Sequence, residues 1–206
     1  MSSIEPMCET TTTPEPNRAS NPGWLAELPL PGGPLVRFRH VRPEDQPLVT
    51  GAIRTASRET LLHRFFSPIR SVAPDQLRRM LAIDQTKELC IVGVVSANDA
   101  ARIVCGARYV RLPRAGTAEI AFTVHDDFQR RGLCTFLLQL LTRLAVADGI
   151  RRFEADVMTS NQKMLNLFRK LVPDHTRTRQ MGDVLHIAFE VSTVAQPESK
   201  PDSSAA

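Results

Sequence analysis

Aromatic residues are scarce here: one Trp, one Tyr and nine Phe in 206 residues. The arginines are scattered, so the stacking platforms and basic stripes of a nucleic-acid binder are missing, and no nucleic-acid partner is expected. Cysteine is scarce too. Cys8, Cys90, Cys105 and Cys134 show no paired spacing, which argues against a disulfide framework. Cys90 and Cys105 sit inside apolar runs and read as buried thiols, the pattern of a reducing cytoplasm. No metal site is expected. No apolar run reaches membrane-spanning length, so no membrane partner is expected either. The stretch MSSIEPMCETTTTPEPN carries acids and has no apolar segment, unlike a secretory signal. The formal net charge is only +4. That suits an anionic ligand without implying a polyanion.

Residues 1–33, rich in Thr, Pro, Glu, Ser and Gly, read as a disordered N-terminal tail, with Trp24, Leu25 and Leu28 as its few buriable side chains. Residues 34–192 hold one folded domain, and 193–206 a flexible C-terminal tail. Within the domain, LVRFRHV (35–41) alternates as a strand. Helices follow from Pro43 to about Arg54, over 57–66 and over 74–83. LCIVGVV (89–95), RIVCGARYVRL (102–112) and TAEIAFTV (117–124) are strands joined by loops too short for crossovers, hence an antiparallel meander. A long helix then runs to Gly149, with Leu133, Phe136, Leu137, Leu140, Leu141 and Leu144 as its apolar stripe. RRFEADV (151–157) is the strand it leads to, parallel to TAEIAFTV. SNQKMLNLFRKL (160–171) is a further helix, stopped by Pro173. A hairpin about Gly182 closes the domain. The expected class is α/β (α+β), with a mixed, mostly antiparallel sheet and one central β-α-β crossover.

The start of the long helix is unusual. DDFQRRGLCTF has no Ser, Thr, Asp or Asn at the cap, and it sets Arg130 and Arg131 against the helix's own positive end. The first-turn amides have no intrahelical partners. With Gly132 allowing close approach, this arrangement suits a pyrophosphate. Solvated arginines beside an ordinary glycine would give the same string.

VHDDFQRRGLC (124–134) resembles the signature of the Gcn5-related N-acetyltransferases, Gln/Arg-x-x-Gly-x-Gly/Ala between a strand and a helix. Gln129, Gly132 and Cys134 take its three places. SNQKMLNLFRKL resembles the family's next block, with Asn161 opening the helix, and the likeness extends over roughly residues 35 to 191. The resemblance implies that the central crossover binds acyl-CoA, with acetyl-CoA as donor. Its pyrophosphate would lie on the amides of Arg130, Arg131, Gly132, Leu133, Cys134 and Thr135. Val124 would pair its backbone with the pantetheine arm, and Asn161 would touch the same arm.

Acyl transfer to an amine needs a base, because an ammonium near pKa ~10.4 is a poor nucleophile. The resemblance points to Glu119 in TAEIAFTV, where partial burial is expected to favour the role; a solvent-facing carboxylate or an ion pair with Arg108 is the plainer reading of the same residue. Phe168 stands where many members carry an acid tyrosine, and Val172–Pro173 replace a common Gly-Phe. Cys134 fills a small-residue place, so Cys134→Gly is expected to tighten acetyl-CoA binding. His63 reads as a polar-face residue of its helix rather than a second base, and His125 as a residue at the surface. SRETLLHRFFSPI (57–69) and GARYVRLPRAGTAEIAFTVHDDFQRRG (106–132) resemble bacterial protein-lysine acetyltransferases. The expected function is therefore direct acetyl transfer to a protein lysine. A small-molecule amine acetyltransferase and a non-catalytic acyl-CoA-binding regulatory module are the alternatives.

Overall fold

The computed structural model describes residues 23–69, 72–84, 86–97, 100–172 and 177–194. The tails expected over 1–22 and 195–206, with Cys8 and the stop at Pro173, lie outside them. One eight-stranded sheet, in the order β1-β2-β3-β4-β5-β6-β8-β7, organises the domain. The strands are β1 (Trp24–Pro29), β2 (Leu35–His40), β3 (Glu88–Ala97), β4 (Ala100–Arg111), β5 (Thr117–Val124), β6 (Arg152–Met158), β7 (Arg177–Met181) and β8 (Val184–Glu190). The helices are α1 (Gln46–Thr55), α2 (Arg58–Phe65), α3 (Pro74–Leu81), α4 (Leu133–Ala147) and α5 (Gln162–Leu171). Every strand pair is antiparallel except β5 with β6. The meander, the crossover helix and the closing hairpin are as the sequence predicts.

The N-terminal boundary differs. Residues 24–29, assigned to the tail by composition, form β1 and pair with β2. The reason is local. A turn with Gly32 at φ +59 folds the segment back, Arg37 bonds Glu27 across the pair at 2.9 Å, and Arg37 and Arg39 lie over the Trp24 ring at 5.8 and 5.9 Å. Leu25, Ala26 and Leu28 then pack on the main core. A short Pro- and Gly-flanked strand has too little periodicity to show in the sequence.

The core lies mainly between the sheet and α4 and α5. Leu133, Leu137, Leu138, Leu140 and Leu141 of α4 are each at most 3% exposed. Phe168 of α5 packs on Phe189 at 5.5 Å between ring centres, and Phe153 meets Phe189 at 5.9 Å. Helix α1 covers a smaller cluster of Val92, Val94 and Ile103 on the other face. Helix α4 is thus fixed along its length by burial, Leu133 of its first turn included. Gly149, at φ +75, follows its C-terminal end.

Candidate active site

Strands β5 and β6 pair at only three positions: Thr117 with Arg152, Ala118 with Phe153, and Glu119 with Glu154. Beyond Glu119 they part, while β5 stays zipped to β4 as far as Val124. The fork opens into a cleft of about 550 Å³ between α2, α5 and the start of α4. Glu119, Val124, Gln129, Arg130, Gly132, Leu133, Cys134, Thr135 and Asn161 all line it. Residues far apart in sequence are thus gathered around one space by the splay. Arg131 is not part of the wall. Its guanidinium lies over the Phe128 ring at 5.6 Å and beside Gly33.

The loop before α4 is conformationally special. Arg130 has φ +61 and Gly132 φ +82, both left-handed. At Gly132 that conformation, more than crowding, calls for glycine, since a Cβ there would meet nothing within 4 Å. No side chain caps the helix, and Phe136 N–H is the donor that takes the Gly132 carbonyl. The amides of Leu133, Cys134 and Thr135 therefore open onto the cleft with their helix-end positive potential. This geometry fits an anion better than the sequence alone could show.

A polar network braces this loop. The Asp126 carboxylate accepts from Ser57 N–H and the Ser57 hydroxyl, both at 2.7 Å, and from the Thr60 hydroxyl at 2.9 Å. Burial alone would raise the pKa of Asp126, but these hydrogen bonds outweigh it and hold the carboxyl below its ordinary value. Gln129 Nε2 donates to Thr60 Oγ1 at 3.2 Å and to the Val124 carbonyl at 3.3 Å, and its Oε1 accepts from Lys163 Nζ at 3.0 Å. Helices α2 and α5 are thereby tied to the loop. Sequence reasoning missed Thr60, Asp126 and Lys163, because their partners lie 34 to 69 residues away. Asn161 opens α5 as expected. Its Oδ1 is used as the cap, accepting from Met164 N–H at 3.2 Å.

Three carboxylates line the cleft: Glu59, Glu119 and Asp156. Glu59 lies 3.9 Å from Lys163, and Asp156 bonds His186 at 2.8 Å. Glu119 has no hydrogen bond or ion pair among the described residues. It is exposed, so the partial burial expected for it is not found. The side chain that pairs with Arg108 is Glu88. Opposite Glu119 in the register, Glu154 is occupied by Arg152 at 3.2 Å.

The other singled-out residues resolve as follows. His125, expected at the surface, is 6% exposed and joins Thr55 at 3.0 Å with Arg102 at 2.8 Å. It has this setting because it ends β5 beneath α1. His63 lines the cleft and bonds Ser160 at 3.2 Å. Burial pushes the Cys90 and Cys134 thiols up to about 11 and raises Cys105 further. Cys134 packs against the core as a half-buried side chain. Tyr109 is buried on β4 and donates to Asp148, so its hydroxyl is committed away from the cleft. Phe168 lines the cleft with a ring only. Among the described residues no helix is long and apolar enough to cross a membrane, and no group of His, Cys, Asp or Glu is arranged to hold a metal ion.

A sheet forked beside an uncapped helix start suits the acyl-CoA donor that the sequence resemblance implies, and the comparisons give the family. The sequence profile described as "Acetyltransferase (GNAT) family" matches residues 56–171. The chain belongs to that family and is an acyltransferase, of the class that carries out acetyl-CoA-dependent N-acetylation. It is 34% identical over 135 residues to Acetyltransferase Pat of Mycolicibacterium smegmatis, across 65% of this chain and 40% of that protein. It is 29% identical over 144 residues to Acetyltransferase PA5475 of Pseudomonas aeruginosa, across 70% of this chain and 76% of that one. The crystal structure of the GNAT domain of S. lividans PAT shares the fold, with a TM-score of 0.70 at 24% identity, covering 80% of this chain and 96% of that one.

Proposed function

We propose that this enzyme transfers acetyl from acetyl-CoA to a protein lysine side chain, with Glu119 as the general base. The observation that carries the reading is the fork. Glu119, the cleft carboxylate with no hydrogen bond or salt bridge among the described residues, stands where β5 and β6 part, and the same space reaches the uncapped start of α4. The amides from Arg130 to Thr135 would hold the donor's pyrophosphate, with Arg130 and Lys163 close enough to add charge. Asn161 would face the pantetheine arm, and the freed edge of β5 through Val124 would pair with it. Gln129 holds the Val124 carbonyl in the free protein, so that pairing requires Gln129 to yield.

The chemistry then balances simply. Glu119 takes a proton from the lysine ammonium, directly or through a water. The neutral nitrogen attacks the thioester carbonyl carbon, a C–N bond forms, and the C–S bond breaks as the thiolate departs. The new amide nitrogen sheds its remaining extra proton, and with no tyrosine lining the cleft that proton reaches the thiolate through solvent. A lysine suits the cleft because its long apolar stem can pass Phe65 and Phe66 to bring the amine to Glu119.

Glu119→Gln tests the base. Calorimetry should give an acetyl-CoA Kd within about twofold of the parent, while kcat falls by ~10²–10⁴-fold. An unchanged turnover number would remove Glu119 from the role. Incubation with acetyl-CoA and a cell lysate, followed by mass spectrometry, tests the acceptor. Acetylated lysines support the reading. Small-amine products without protein products would replace it, and donor binding without any acceptor would indicate a regulatory module.

A further inference from the structure

The α2 wall of the cleft borders a second cavity of about 150 Å³, enclosed by α1, α2, α3 and the sheet. Arg64, Phe65, Ala121 and Thr123 line both spaces. The smaller cavity is mostly apolar, yet two arginines, Arg64 and Arg108, are among the residues that line it. The strand register puts them beside the proposed base. Glu88, Val110 and Glu119 form one row across β3, β4 and β5, and Cys90, Arg108 and Ala121 form the next row on the same face. Two residues along a strand is roughly 7 Å, so Arg108 stands about that far from the row of Glu119.

Both arginines are under-partnered. Arg64 makes no hydrogen bond or salt bridge among the described residues; it stacks over Phe65 at 5.2 Å and feels the charge of Glu119. Arg108 gives one N–H to Glu88, but its Nε is buried without a partner. Burial is the main reason that the Arg64 pKa lies below its ordinary value, and the charge of Arg108 acts in the same direction. Arg108 Nε is a buried donor with no acceptor among the described residues, which destabilises a fold, so its presence calls for a reason. A carboxylate ligand supplies acceptors for both groups and matches their charge.

We propose that Arg64 and Arg108 receive a carboxylate carried by the amine acceptor, so that the enzyme selects amines with an acidic group close to the reacting nitrogen. This rests on Glu119 as the base in the adjoining cleft. Two sources present that chemistry: an Asp or Glu beside a lysine in a peptide, and the α-carboxylate of free lysine.

The test compares kcat/KM for single-lysine peptides flanked by Glu, Ala or Arg, and for free lysine, using the full chain and acetyl-CoA. The expected result is a preference of about tenfold or more for the Glu-flanked peptide over the Ala-flanked one. Arg64→Gln should bring that ratio to within about twofold, and Arg64→Glu should invert it toward the Arg-flanked peptide. An acetyl-CoA Kd unchanged by calorimetry shows that each variant is folded. Free lysine outperforming every peptide, with the same loss in Arg64→Gln, would assign the carboxylate to an amino acid. No acidic preference in the parent, or a ratio that Arg64→Gln leaves intact, overturns the proposal. Peptide binding to Glu119→Gln in the presence of coenzyme A reads the arginine pair separately from turnover. Failure of the base assignment and failure of the arginine site are thereby distinguished.

Discussion

Two helices begin at the same cleft and are built in opposite ways. Helix α5 opens on Asn161, whose side chain accepts from Met164 N–H and closes the first turn. Helix α4 opens on Gly132, left-handed and without a side-chain cap. The difference follows from burial. Helix α5 has ten residues and buries Leu165, Phe168 and Leu171. Helix α4 has fifteen and buries five leucines among its seven buried residues. At about 1.5–3 kcal/mol per fully buried leucine, that packing far exceeds the ~1 kcal/mol of a missing cap. A helix anchored this deeply in the core can leave its first amides for an anion, whereas a lighter one closes them with its own side chain.

Gly132→Val is the strongest way to break the contrast. A β-branched residue at φ +82 is strained by about 1–2 kcal/mol or more, and relief of that strain moves the amides. Acetyl-CoA binding should weaken roughly tenfold or more by calorimetry, and the thermal midpoint should drop by a few degrees. An unchanged Kd would mean that the open turn does not hold the donor.

Removing a closed cap should have a smaller effect. Asn161→Ala should cost about 1 kcal/mol in urea denaturation. Ser57→Ala is its counterpart at α2, where the Ser57 hydroxyl accepts from Thr60 N–H at 3.1 Å and also bonds Asp126. If Asn161 serves the donor as well as the helix, Asn161→Ala will also raise the acetyl-CoA Kd. An unchanged Kd would confine Asn161 to capping.

Cys134 should matter least. Its sulfur packs against the core, and burial pushes the thiol up to about 11. Alkylation at pH 7.5 should therefore be slow, and Cys134→Ala should keep the acetyl-CoA Kd within about threefold. The tightening suggested by the motif for Cys134→Gly is opposed by a helix cost of up to ~1 kcal/mol for glycine.

Much of this was legible along the chain. Strand alternation, the long apolar run of 89–95 and the 3.6-residue stripe of α4 are local patterns, and they led to the right elements in the right order. Gly132 and Asn161 were visible because turn and cap chemistry is local too. Strand β1 was not, since its stability comes from pairing with β2 and from arginines over Trp24. Neither was the turn of Arg131 away from the cleft, which depends on where Phe128 lies. His125 looked like a surface residue because nothing in its neighbours reports that α1 covers it.

The sequence by itself determined the class of fold, the crossover and a helix start with no cap, because periodicity, turn residues and capping act over a few residues. Only the tertiary structure decided what those features enclose. It parted β5 from β6 just beyond Glu119, left that carboxylate without a hydrogen bond or salt bridge among the described residues, and brought Arg64 and Arg108 to one cavity beside it. Those outcomes depend on contacts between distant segments and on which polar groups burial leaves without a partner, and no local pattern encodes either.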